Sequence, residues 1–165
     1  MTDQTAPIRL LIVDDEEDLV TFLAHRLRKR NIDVTMALSG AEAVSAGNEL
    51  TFDVAVVDLK MPDMDGIAVI EQLRNAQPFI EVLMLTGHGS HDSAWEAGRL
   101  QAYRYLMKPY DFDELYELIT SAAAQRRSRM QAEFEEKLQE LMTSTTSPRD
   151  LIDLSEKLRK QYEQE

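Results

Sequence analysis

The stretch VVDLKMPDMDG, Val56 to Gly66, sets a short apolar run against a collection of acids. Val54 to Val57 are all apolar, Asp58 follows at once, and Lys60, Pro62, Asp63, Asp65 and Gly66 come after it. A branched apolar run of this length, closed by turn residues, reads as a strand covered on both faces. An ionised carboxylate does not sit alone in such a core, because removing it from water costs too much. Asp58 is therefore read as the cap of a strand, at the sheet edge. Asp63 and Asp65 are read as turn residues leading into Gly66.

Four further runs have the same character: Ile8 to Val13, Ile32 to Leu38, Ile80 to Thr86 and Ala102 to Met107. Between them the apolar spacing changes to about 3.6. Leu19, Phe22, Leu23 and Leu27 share one helical face. Ile67, Ile70 and Leu73 share a second, and Leu115, Leu118, Ile119 and Ala122 a third. Ser39 is placed as a helix N-cap, with Glu42 at capping-box spacing. Five strands alternating with five helices predict βαβ units and a parallel sheet, wound right-handedly on both faces. In such a doubly wound α/β fold, ligands bind beyond the carboxyl ends of the strands, where the strand order reverses.

The bulk of the sequence agrees with a packed domain. Its 165 residues are 44% hydrophobic and 29% charged, with a formal net charge of −12. From Ala124 onward eight Lys/Arg nearly balance nine Asp/Glu, so almost all the excess acid lies in the first 123 residues. A domain that acidic is not expected to bind nucleic acid directly, since binding requires neutralised phosphates. Cysteine is absent, which excludes disulfides and thiolate chemistry and fits a reducing compartment. No stretch reaches the ~20 apolar residues of a membrane span. The N-terminus lacks a basic lead-in to its apolar run, so no signal peptide is read and a cytoplasmic protein is expected.

The polar groups at the strand ends carry the chemistry. Asp14 and Asp15 follow the first strand, Asp58 ends the third, Thr86 ends the fourth, and Lys108 follows the fifth, directly before Pro109. All five fall at the edge where the ligand crevice is expected. Three close carboxylates repel, and one must keep a proton unless a positive charge intervenes. Hard oxygen donors without His or Cys select Mg²⁺, which leaves room for a phosphate oxygen. Lys108 supplies a point charge for that phosphate and Thr86 a hydroxyl. A carboxylate in this setting is a nucleophile toward phosphorus.

The motifs LLIVDDEEDL, VVDLKMPDMDG, VLMLTGHGS and YLMKPY, in this order and spacing, resemble the receiver domains of two-component response regulators, over about Ile8 to Ala123. The resemblance implies a flavodoxin-like (βα)5 fold with strand order 2-1-3-4-5 and a CheY-like site. Asp58 is then the phosphoacceptor. Mg²⁺ is held by Asp15, Asp58 and the backbone carbonyl of Lys60, with Asp14 acting through a water. Lys108 pairs with the phosphoryl group, Thr86 moves to bond it, and Tyr105 is the switch aromatic. The Lys108–Pro109 bond is cis in the family. The implied partner is a sensor histidine kinase or a phosphotransfer protein, and self-phosphorylation from small donors and self-dephosphorylation are slow. Gln101 stands where the family usually has glycine, and Lys60 and His88 occupy positions that tune phosphoryl lifetime.

Two other functions fit the sequence less well. A phosphatase of the haloacid-dehalogenase type needs a second aspartate two residues after the nucleophile, and Lys60 stands there. A degenerate, binding-only receiver would have lost some of the acids, Thr86 or Lys108, and all are present. The domain is expected to end at residue 123, with 124–165 a helical extension: a continued last helix, a break near 143–148, and a second helix opened by Pro148. Met130, Phe134, Leu138 and Leu141 form the apolar stripe of that extension, and Leu151, Leu154 and Leu158 form a thinner one. No DNA-binding or enzymatic output motif follows, so a regulator whose effector is missing is the second reading. A homodimer is expected through the faces of the fourth and fifth helices or through the extension. Arg126, Arg127 and Arg129 are read as a solvated face, His25 as helix surface, and Trp95 and the methionines as packing. His88 and His91 are too few for a metal pair.

Overall fold

A computed structural model of the protein describes residues 6–87, 104–144 and 147–164. Five strands form one sheet: β1 (Ile8–Val13), β2 (Ile32–Ala37), β3 (Val54–Asp58), β4 (Glu81–Thr86) and β5 (Arg104–Met107). Their order is β2-β1-β3-β4-β5 and every pairing is parallel. Five helices are described: α1 (Glu17–Arg28), α2 (Gly40–Glu49), α3 (Gly66–Ala76), α4 (Phe112–Ser144) and α5 (Pro148–Gln164). The helix expected between β4 and β5, with His88, His91, Trp95 and Gln101, lies outside the described residues. The fifth helix of the sequence pattern is thus α4 here.

Strand alternation splits the apolar runs between two cores. Leu10, Ile12, Val54, Val56, Leu83 and Leu85 face α1 and the first part of α4, against Leu23, Leu27, Leu115 and Ile119. Leu11, Val13, Ala55, Val57, Val82 and Met84 face α2 and α3, against Ala43, Val69, Ile70 and Leu73. Both faces are dry, which is why these strands read as continuous apolar runs. The helix starts follow local chemistry. The Ser39 hydroxyl accepts from Glu42 N–H at 3.2 Å, while the Glu42 carboxylate accepts from Leu38 N–H at 2.8 Å. Asp65 caps α3 by accepting from Ile67 N–H at 3.1 Å.

Several side chains depart from the sequence pattern. Phe22 is 56% exposed, with the Arg26 guanidinium 5.5 Å from its ring centre. Met36, Met107 and Met142 are exposed rather than packed. The reading of Arg126 as solvated is also corrected, while Arg129 stays exposed and yet makes an ion pair. Arg126 is buried and pairs with Asp53 at 3.0 Å, and Arg129 pairs with the buried Glu81 at 2.5 Å. Arg9 closes on the same Asp53 through its guanidinium (2.9 Å) and its backbone N–H (2.8 Å). α4 is therefore clamped to the amino ends of β1, β3 and β4, and residue 123 falls inside the helix, without a break. Beyond the clamp α4 runs on to Ser144 and α5 returns against it.

Burial alone would raise the Asp53 carboxyl. The hydrogen bonds from Arg9 and the charges of Arg126 and Arg9 outweigh it and hold Asp53 below the usual carboxylate range. A depressed folded pKa contributes stability that is fully present above the unfolded value, about 3.9, and is lost as pH falls through the folded value. Asp53→Ala removes the carboxylate that two arginines share and is expected to lower stability by about 3 kcal/mol at neutral pH. Urea titrations of both proteins should show that gap narrowing only below about pH 4.

Candidate functional site

The alternation that fills the α1/α4 core also builds the site. Leu10 and Ile12 continue to Asp14, Val56 continues to Asp58, and Leu106 continues to Lys108. Each step of two keeps the side chain on the same sheet face. The strands β1, β3 and β5 thus deliver two carboxylates and an ammonium to one corner, at their carboxyl ends.

The backbone at these strand ends is tied down. Asp14 N–H donates to Ala37 O at 3.2 Å, Leu59 N–H to Leu85 O at 3.1 Å, and Lys108 N–H to Thr86 O at 2.8 Å. The Lys108–Pro109 peptide is cis, as the resemblance implies. Gly66 lies hard against the turn that leaves β3. A Cβ there would run into the Asp58 carbonyl oxygen and the Leu59 Cα, both backbone atoms. This turn needs glycine for close approach.

Asp14 and Asp58 are buried and Asp15 is exposed; one carboxylate oxygen from each lies within 4.8 Å of the others. Lys108 Nζ sits among them, 2.8 Å from Asp14 Oδ2, 3.5 Å from Asp58 Oδ2 and 3.5 Å from Glu16 Oε1. Asp58 Oδ1 accepts from Lys60 N–H at 3.2 Å, and Asp14 Oδ1 accepts from Glu16 N–H at 3.0 Å. The two buried acids thus share one cation. Burial raises the Asp58 carboxyl above its usual value, with Asp14 adding repulsion. The Lys60 N–H and the Lys108 charge oppose this and lose. Burial also works against the Lys108 ammonium, but Asp14, Asp58 and Glu16 hold its pKa above the ordinary lysine value.

Thr86 is buried, and its hydroxyl donates to Gly87 O at 3.1 Å. Tyr105 is 52% exposed on β5, in register with Met84. Asp63 does not join the acids; its carboxylate accepts from Ala41 N–H at 3.3 Å, tying the β3–α3 turn to α2. Two neighbours went unread in the sequence. Glu16 adds a third carboxylate to Lys108, signalled only by the run DDEE. The Tyr110 phenol oxygen is buried without a hydrogen-bond partner among the described residues, and burial pushes its pKa up. No local pattern distinguishes it from a surface tyrosine.

Geometry of this kind, an all-oxygen acid cluster with one lysine at the carboxyl edge of a 2-1-3-4-5 sheet, defines a CheY-like receiver. The comparisons agree. The profile of the response regulator receiver domain matches residues 10–120, and the chain belongs to that family. It is similar to the transcriptional regulatory protein ZraR of Salmonella typhimurium, 38% identical over 73% of this chain and 27% of the relative. It is also similar to the regulatory protein AtoC of Escherichia coli, 34% identical over 85% of this chain and 30% of the relative. The chain thus spans about a quarter to a third of these curated relatives. Among solved structures, a CheY-like receiver from Methanospirillum hungatei superposes with TM-score 0.71, at 26% identity, covering 74% of this chain and 98% of that one. A structure titled adenylate cyclase from Rhodopirellula baltica superposes with TM-score 0.73, at 32% identity, covering 84% and 99%. No helix among the described residues is long and apolar enough to cross a membrane.

The raised Asp58 carboxyl fixes a sign. The folded protein holds this proton more tightly than the unfolded chain, so stability falls as pH rises from the ordinary carboxylate value through the folded one. In chelator at pH 7, Asp58→Asn is expected to be more stable than the parent, by on the order of 1 kcal/mol, measured by urea unfolding. Gly66→Ala is expected to lower stability by about 2 kcal/mol in the same assay.

Proposed function

We propose that the protein is a phosphorylation-controlled response regulator in which Asp58 is the phosphoacceptor. The observation that supports this most is the convergence of Asp14, Asp15, Asp58 and Lys108 at one sheet corner. Its donor is the phosphohistidine of a sensor histidine kinase or a phosphotransfer protein. An Asp58 carboxylate oxygen attacks phosphorus, the new O–P bond forms, and the N–P bond breaks with its electron pair returning to the imidazole. The acceptor is the protein's own side chain, so one event changes one molecule.

The donor set fits a hard divalent cation, because only carboxylate and carbonyl oxygens are offered. Asp15, Asp58 and the Lys60 carbonyl would hold Mg²⁺, with Asp14 acting through a water. When bound, the ion would supply positive charge that screens the two anions that must meet. Lys108 holds positive charge at the other side of the acceptor and pairs with the phosphoryl group once it arrives. Thr86 then gives up its bond to the Gly87 carbonyl and turns toward the phosphoryl oxygen. Tyr105, exposed on the edge strand, rotates into the space that Thr86 leaves. This is a local charge change biasing a two-state element.

A second reading concerns the whole protein. Of the two relatives, one is titled a transcriptional regulatory protein and the other a regulatory protein, and both are three to four times longer than the matched segment. The chain would then be the receiver portion of such a regulator, with its effector supplied elsewhere. Both readings share the same site and differ in what the switched surface contacts.

Acetyl phosphate with Mg²⁺ should add a single phosphoryl group to the full chain, seen by intact mass. Asp58→Asn and chelator should each abolish it, and Lys108→Ala should slow its formation and alter its lifetime. A label that persists in Asp58→Asn would refute the assignment.

A further inference from the structure

The turn that leaves β3 carries the one metal donor proposed above that is not a side chain, the Lys60 carbonyl. The backbone fixes the two ends of this turn. Leu59 N–H donates to Leu85 O at 3.1 Å, and Gly66 N–H donates to Leu59 O at 3.4 Å. Between those ends, among the described residues, no backbone–backbone hydrogen bond is made by residues 60–64. Lys60 N–H is held by Asp58 Oδ1 at 3.2 Å. That bond fixes the peptide before Lys60. The peptide after it, which bears the carbonyl, depends on other contacts.

Those contacts come from the start of α2. The first N–H groups of a helix have no partner within it. Ser39 accepts from Glu42 N–H, and Asp63, reaching over from the β3 turn, accepts from Ala41 N–H at 3.3 Å through Oδ2. Bonds from the Gly40 and Ala41 N–H groups hold the Asp63 carboxyl below the usual carboxylate range. An anion there also meets the positive end of the helix dipole. One residue on, Met64 packs against the core shared by α2 and α3. Gly40 lies directly against it: a Cβ on Gly40 would stand 2.6 Å from Met64 Cβ and 2.9 Å from Val69 Cγ2. Helix and turn therefore abut without slack, one contact polar and the other apolar.

Magnesium makes this tether matter. The ion demands near-ideal octahedral geometry at about 2.0–2.1 Å and tolerates little displacement of a donor. A donor on a loose turn must be ordered as the ion binds, and the lost conformational freedom lowers affinity. We infer that Asp63 is a positioning residue for the metal site: by anchoring the turn to the N-terminus of α2, it presets the Lys60 carbonyl three residues earlier in the chain. The inference rests on the reading of Asp15, Asp58 and the Lys60 carbonyl as the Mg²⁺ donors. It adds a residue that touches neither the ion nor the phosphoryl group. It also gives α2, which sends no described side chain to the acid corner, a part in shaping that corner through the turn.

Calorimetric titration of the full chain with Mg²⁺ alone, without phosphodonor, tests this. Asp63 is exposed, so its replacement opens no cavity. Asp63→Ala is expected to raise the Kd for Mg²⁺ about 10-fold, the lower end of what partners outside the ligand shell contribute. Asp63→Asn keeps an oxygen for the Ala41 N–H but loses the charge, and a neutral bond carries about half the strength of a charge-assisted one. Its Kd should therefore rise only about 3-fold. Backbone relaxation in chelator gives a second readout, free of metal. In Asp63→Ala the amides of Lys60, Met61 and Met64 should fall from an order parameter of about 0.85 to below about 0.6, while those of β3 and α3 keep theirs. Equal changes in Kd for the Asn and Ala variants would mean charge acting at a distance. An unchanged Kd, or a turn as rigid as the parent's, would mean a contact that serves stability alone. Each of these overturns the inference while leaving the donors in place. A parent that binds no Mg²⁺, or binds it no better than Asp58→Asn, overturns the reading of the donors and the inference with it.

Discussion

Two buried carboxylates sharing one lysine is the constraint on which this molecule turns. Asp14 and Asp58 are almost wholly shielded from water, and Lys108 Nζ is the cation within bonding reach of both. Neither acid would stay there without it, since an uncompensated buried charge costs several kcal/mol. The compensation is incomplete. Asp14 takes the short contact, and Asp58 is left at 3.5 Å with its carboxyl raised. The site is thus short of positive charge at the one oxygen donor that the chemistry would use. A hard cation or a transferred phosphoryl group with its counter-charge relieves that deficit, which is why the same arrangement that weakens the resting fold favours a ligand.

Ordinary strand geometry produces this corner. Asp14, Asp58 and Lys108 extend the same alternation that lines the α1/α4 core, so no special loop is needed to converge them. What is needed is tight control of the turns just beyond. Gly66 lets α3 approach the backbone at Asp58, and the bond from Lys108 N–H to Thr86 O fixes where the lysine leaves the sheet. The packed core sets the directions and these short-range contacts set the distances. Thr86 falls on the opposite parity and faces its own backbone, so it is available to move in a way that Asp14 and Asp58 are not.

The fold and most of this corner could be read from the chain because both rest on periodicity. A repeat of two or 3.6 survives in one dimension, and strand ends are marked by the first polar residue after an apolar run. Contacts made across the fold leave no such trace. Arg126 and Arg129 look like a solvated helix face because their partners, Asp53 and Glu81, are distant in sequence and themselves look like loop acids. Phe22 fits the apolar stripe of α1 by spacing and still faces outward, because a stripe wider than the neighbouring surface must leave its edge uncovered. The continuation of the last helix past residue 123 was legible in its apolar stripe, while the ion pairs that Arg126 and Arg129 make across the fold were not. Periodicity reports which face is apolar; it does not report what that face meets.

The two ends of the sheet are therefore prepared for different tasks. The acid corner stands at the carboxyl ends of β1 and β3, and the arginine clamp stands at the amino ends of those strands and of β4. The ends of a five-residue strand are about 17 Å apart. Contiguity along a strand is not by itself coupling, because coupling needs an element with two arrangements. β1 and β3 are packed on both faces and have one arrangement, so they hold the hairpin fixed relative to the site. β5 is different: Arg104, Tyr105 and Met107 are exposed and only Leu106 is buried. A charge change at Asp58 thus has its freedom at the Thr86–Tyr105 edge and little at the clamp. On this argument a change at the acid corner is expressed on the β5 side, while the hairpin stays fixed relative to the site.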